Sequence, residues 1–142
     1  KVTEQSKDNP VFYVQYASAR VHSVLRKAAE AGIDTSDLAS ADMSLASSEA
    51  ELALAAKAAE WPRVVEVAAR THEPHRIALY LYDLASEVHS LWNRGNDDTS
   101  LRFLQEDDIA TTQAKIALIR ATQVVIATGL GILGVTPAEE MR

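Results

Sequence analysis

The chain has 142 residues, 47% hydrophobic and 24% charged, with a net charge of −6 and no cysteine. That is enough chain for one domain with its own core, and it excludes disulfides, thiolate metal sites and a thiol nucleophile. No apolar run reaches the roughly 18–20 residues of a bilayer span, and the acidic balance counts against a broadly basic nucleic-acid binder while leaving room for a local basic face.

The opening KVTEQSKDN is polar and has no apolar core of a signal peptide; with the lack of cysteine it suits a cytoplasmic protein. Asn9-Pro10 reads as a helix cap followed by a first-turn proline. The first helix is expected to run to about Ala31, with Gly32 closing it. Its apolar line of Val14, Ala17, Val21, Val24, Leu25 and Ala28 follows the helical period. A loop follows, acidic from Asp34 through Asp37 and Asp42 to Glu49 and Glu51, with no lysine or arginine among them. Ser48 and Glu51 form a capping box that opens a second helix, whose alanines (Ala53, Ala55, Ala56, Ala58, Ala59) predict close packing.

Trp61-Pro62 breaks that helix and starts a third, which reaches about Thr71. Pro74 opens a long fourth helix with a buried line of Ile77, Leu81, Leu84, Val88 and Leu91, and Gly95 is expected to end it. NDDTSLRFLQEDD is a polar connector. A fifth helix is expected from about Asp108 to Thr128, stopped by Gly129, and the tail is irregular with a final turn in PAEEMR. No segment alternates at period two for long enough to make a strand. The expected fold is an all-α bundle of about five helices.

Catalytic chemistry is hard to find. HEPH, at 72–75, has the wrong spacing for a helical zinc pair and is broken by Pro74, so its histidines read as surface or cap residues. GLGILG has no preceding strand and no P-loop lysine. The serines lack a nucleophile elbow, and the acids of 97–108 lack calcium-loop spacing. No catalytic or metal-binding residue is assigned.

What remains is two stripes of rings and cations. Tyr13, Tyr16, Arg20, Ser23 and Lys27 share one side of the first helix, and Tyr82, His89 and Trp92 follow helical spacing on the fourth. Rings beside cations are how proteins hold unstacked bases. On spacing alone, packing between helices and contact with RNA are both open for each ring.

Three long segments, KDNPVFYVQYASAR, EPHRIALYLYDLASEVHSLWN and ALIRATQVVIATGLGILGVTPAEEM, resemble in order and spacing the C-terminal, DALR-type anticodon-binding domain of bacterial arginyl-tRNA synthetase. The resemblance covers 7–31 and 60–142; the acidic loop carries little of it. It implies an all-α anticodon-binding domain of a class I synthetase over 9–142, with 1–8 as the tail of a catalytic domain. The HIGH-like and KMSKS-like motifs of that domain are absent, so this stretch is expected to be non-catalytic and to need no cofactor. ATP, arginine and Mg²⁺ would serve the full-length ligase.

The implied partners are arginine tRNA and the catalytic domain of the same polypeptide, with no membrane. By the same resemblance Tyr13 and Tyr16 match the YxQY motif, Trp92 an aromatic position late in the long helix, and Met141 a near-terminal methionine close to the anticodon. Arg20, Lys27, Tyr82, His89 and Arg94 complete the expected RNA-binding set, with a structural role for Arg20 left open, and Lys7 is a further phosphate candidate. Two departures stand out. Ser18 replaces a frequent family histidine, and the Asp-Ala-Leu-Arg tetrapeptide is missing. Ala117-Leu118-Ile119-Arg120 is the nearest stretch, which makes Arg120 a structural residue before a site residue. Two other readings are a helical protein–protein module built on the second helix and Trp61, and the anticodon domain of a different class I synthetase.

Overall fold

Asn9 starts the first helix by accepting hydrogen bonds from the backbone N–H groups of Val11 and Phe12, which satisfies donors that no helix can satisfy for itself. The structure, a computed structural model, describes residues 8–141. It contains helices α1 (Pro10–Glu30), α2 (Glu49–Ala59), α3 (Trp61–Thr71), α4 (His75–Asp97) and α5 (Ile109–Ile132). Short 3₁₀ turns lie at Leu38–Ser40, Met43–Leu45 and Thr99–Leu101. No strand occurs among the described residues, and the expected all-α bundle is the fold observed.

The apolar lines face inward as their periods require. Val14, Ala17, Val21, Val24 and Ala28 of α1 join Ile77, Leu81, Leu84, Val88 and Leu91 of α4 in one core. The same core takes in α5, which packs on α1, α2, α4 and the first two 3₁₀ turns. Because it meets neighbours on so many sides, α5 is apolar around much of its circumference. Its 24 residues are long and apolar enough to span a bilayer by length and composition, contrary to the reading of the sequence. Its apolar character has a simpler use here, since Ile116, Ile119, Ile126 and Leu130 fill the core.

The middle of α5 also carries a charge. Lys115 Nζ lies 3.0 Å from Glu51 Oε2, with side chains 3% and 4% exposed. Lys115 donates in addition to the carbonyl of Ser100 at 3.0 Å. Glu51 in turn accepts from the Ser48 hydroxyl at 2.6 Å within the expected capping box. One buried pair thus ties α2, α5 and the connector after α4 together.

Three local expectations need correction. Gly95 and Gly129 do not stop their helices, which continue to Asp97 and Ile132. A Cβ on Gly129 would lie 2.7 Å from Leu81 Cδ2, so this glycine is there for the close approach of α5 to α4. The true stop is Gly134 at φ +74°, where the N–H of Val135 reaches back to the carbonyl of Leu130. The alanines of α2 are only partly used: Ala55 and Ala58 are half-buried, whereas Ala53, Ala56 and Ala59 are exposed. Finally, 136–141 makes no helical turn but runs back along α1.

Candidate nucleic-acid interface

The two ring stripes meet where α1 lies against α4. Tyr13 is flanked by Tyr82 and His89, at ring separations of 4.7 and 4.6 Å. Tyr16 lies over the other part of His89 at 5.4 Å. The guanidinium of Arg20 then sits 4.5 Å from the Tyr16 ring and 5.0 Å from the Trp92 ring, and Trp92 leans on Phe103 at 6.3 Å. Tyr82, Tyr13, His89, Tyr16, Arg20 and Trp92 therefore form one continuous band.

His89 holds the band in order. Arg20 has only donors, so its contact of 2.9 Å with Nδ1 makes that nitrogen the acceptor. The ring hydrogen then sits on Nε2, which donates to the carbonyl of Tyr13 at 3.2 Å. His89 is 6% exposed. It was expected to touch RNA, yet it has no open face to offer; it lies beneath the rings and fixes Arg20. Tyr13, half-buried between its two neighbours, is part of the same underlay. Tyr16 and Tyr82 are each 39% exposed, and Trp92 is half-buried beside open space.

That space is a groove of about 380 Å³ lined by Tyr16, Ala19, Arg20, Ser23, Arg26, Trp92, Glu140 and Met141. A second hollow of about 600 Å³ lies on the far flank of Trp92, between Lys27, Phe103 and the connector after α4. The sequence reading placed Tyr16, Arg20, Trp92 and Met141 in one site, and all four line the first groove. Lys27 lines the second, and Arg94 is exposed on the last turns of α4. Lys7 lies outside the described residues, as do residues 1–7 of the expected tail. Arg120 is exposed, bonded to Gln123 of its own helix, and lines neither hollow.

Gln15, Ser18, Arg26 and Glu140 were missed. Gln15, Ser18 and Arg26 carry the returning segment 136–141, and their shared flank of α1 is visible in the sequence as spacings of three and eight. Nothing in the sequence names the partner of that flank.

Charge is distributed unevenly. The ion pairs of the described residues join Lys57, Arg70, His75, Arg76 and Lys115 to carboxylates. Arg20, Arg26, Lys27 and Arg94, around the band, have no carboxylate within ion-pair distance among those residues. A domain of net charge −6 thus keeps a patch of cations without ion-pair partners among the described residues beside exposed rings. Histidines outside the band have structural places: His72 ends α3 in the left-handed region at φ 55°, and His75 lies 3.6 Å from Glu73. No three metal-ligating side chains converge among the described residues.

Known proteins resemble this chain over its whole length. An arginine–tRNA ligase of Paracoccus denitrificans is 70% identical over 144 aligned residues, covering all of this chain and 25% of that protein. One from Ruegeria pomeroyi is 69% identical with the same coverage. The chain therefore spans about a quarter of the length of the curated relatives it matches. The arginyl-tRNA synthetase structure of Thermus thermophilus superposes with a TM-score of 0.70 at 29% identity, over 99% of this chain and 22% of that one. A Campylobacter jejuni structure gives 0.78 at 24% identity, a likeness of fold alone. The family model of the DALR anticodon binding domain matches residues 14–141. With nearly its whole length inside that match, the chain belongs to the DALR anticodon binding domain family.

Proposed function

We propose that the α1–α4 face holds the anticodon loop of arginine tRNA and so positions the acceptor end for ATP-dependent arginylation elsewhere in a longer polypeptide. The observation that carries this reading is the groove beside Trp92, where the exposed Tyr16 ring and the half-buried Trp92 ring stand beside Arg20 and Arg26, neither of them ion-paired among the described residues. Unstacked bases lie against Tyr16 and Trp92, with Met141 as an apolar wall. Tyr13 and His89 support them from below, and Tyr82 extends the band. Arg20, Lys27 and Arg94 face phosphates. Arginine is favoured over other amino acids because the relatives at 70% and 69% identity are named arginine–tRNA ligases.

ATP, arginine and Mg²⁺ would be held by the remainder of a full-length protein, since the relatives named arginine–tRNA ligases are matched over only 25% of their length. The exposed face of α2 around Leu52, Ala53 and Ala56 is a surface on which that catalytic remainder could pack. A cytoplasmic location follows if the whole protein acts in translation.

The test is binding of this chain to arginine tRNA and to an unrelated tRNA at two salt concentrations. Affinity should favour arginine tRNA and fall with salt as released counterions dictate. Tyr16→Ala and Trp92→Ala should each weaken binding by roughly 1–3 kcal/mol, the usual worth of one stacked base. Equal affinity for both tRNAs, or normal binding by both folded variants, sinks the proposal.

A further inference from the structure

We infer that residues 136–141 are a strap whose backbone is read by α1, and that Gln15 and Ser18 are positioning residues for the base-binding groove. The inference rests on the RNA reading given above. Beyond the Gly134 turn the described residues form no helix or strand, so their backbone groups bond to side chains of α1 instead, at the half-buried Ala138 above all. Gln15 supplies two. Its Nε2 donates to the carbonyl of Thr136 at 2.8 Å, and its Oε1 accepts from the N–H of Ala138 at 2.7 Å. The Ser18 hydroxyl, on a residue 2% exposed, donates to the carbonyl of Ala138 at 2.8 Å. Arg26 donates to the carbonyl of Glu139 at 3.0 Å.

These contacts reach backbone atoms only, so they fix the path of the strap without regard to its side chains. The two residues that follow, Glu140 and Met141, are the ones that line the groove opposite Tyr16, Arg20 and Trp92. The division of labour is clear: α1 holds the strap through 136–139, and 140–141 present chemistry to the nucleotide. Glu140 brings a carboxylate into a groove otherwise lined by two arginines, which favours an amine-bearing base edge over a phosphate at that position. Recognition therefore depends on Gln15 and Ser18, although neither lines the groove.

The experiment combines hydrogen exchange with a double-mutant cycle in the 142-residue chain, using the anticodon stem–loop of arginine tRNA as the probe. In the wild type the Ala138 amide should be protected; Gln15→Ala should release it while the thermal midpoint stays close to wild type. Gln15→Ala and Ser18→Ala should each weaken RNA binding by roughly 3–10-fold, the usual effect of a lost hydrogen bond. In a chain ending after Val135 the same substitutions should have no further effect on binding. If Gln15→Ala weakens binding equally with and without the strap, its role is structural and the inference is overturned.

Should the shortened chain fail to fold, Met141→Ala takes its place. Gln15→Ala must then free the Ala138 amide and leave Met141→Ala with no added effect; any other result overturns the inference. Normal binding by the Gln15 and Ser18 variants, with loss in Tyr16→Ala and Trp92→Ala, removes the strap alone. Normal binding by all four removes the RNA reading and the strap with it.

Discussion

Replacing Lys115 by methionine should be among the most damaging single changes in this domain. The Lys115 ammonium lies 3.0 Å from Glu51, and neither side chain is more than 4% exposed. Methionine fills much of the same volume but leaves the Glu51 carboxylate buried with only the Ser48 hydroxyl and backbone N–H as donors. Stranding one charge of a buried pair costs about 3–5 kcal/mol. The carbonyl of Ser100 loses its donor as well. A domain of this size is stable by about 5–15 kcal/mol in total, so the loss takes from about a fifth of the margin to all of it.

The melting temperature should fall by roughly 10–20 °C at the usual scaling of a few degrees per kcal/mol. Thermal unfolding followed by circular dichroism measures this directly. Pairing Lys115→Met with Glu51→Gln should recover part of the loss, because the amide keeps the capping box and removes the stranded charge. The reasoning fails if Lys115→Met melts within a degree or two of wild type, or if the double variant is no better than the single. The loss also has a functional side, since Ser100 lies in the connector that brings Phe103 against Trp92.

Two glycines of α5 should respond in opposite directions to alanine. Gly129→Ala places a methyl 2.7 Å from Leu81, itself 1% exposed, and should destabilise by roughly 1–3 kcal/mol, as overpacking does. Gly131→Ala meets nothing within 4 Å and should stabilise by roughly 0.5–1 kcal/mol through helix propensity; urea titrations showing the same sign for both would refute the packing account. Arg20→Lys should leave stability nearly unchanged but weaken RNA binding by about 1 kcal/mol or more. A lysine point charge cannot lie flat between Tyr16 and Trp92 while bonding His89, and unaltered binding would show that only the charge matters.

Asp108, the cap of α5, has its carboxyl held below the ordinary range, first by the backbone N–H of Thr111 and then by its hydroxyl. A lowered folded pKa means that its stabilisation is complete above the unfolded value of about 3.9 and is lost as pH falls through the folded one. Melting temperature should accordingly decline below about pH 4, less steeply in Asp108→Asn, which caps without titrating. An identical slope in both proteins would remove Asp108 from the account.

The helices were legible from the residues alone, because their signals are local. Asn9, the Ser48–Glu51 box and the 3.6-residue apolar lines act within a few residues, and all were found where expected. The sharing of helical faces by rings and cations was legible too, being a matter of spacing. Glycine misled because its meaning depends on surroundings. Gly32 and Gly134 adopt positive φ and end helices, whereas Gly129, identical in composition, serves a contact with Leu81 more than forty residues earlier.

Which rings have open faces was settled by the packing of the helices. Tyr13 and His89 follow the same spacing rules as Tyr16 and Trp92, yet the approach of α1 to α4 covers the first pair and leaves the second beside a groove. The Lys115–Glu51 pair and the strap on Gln15 and Ser18 were beyond the sequence for the same reason. Each joins residues 64 or more apart, and a polar side chain carries no local mark of the distant group that will satisfy it.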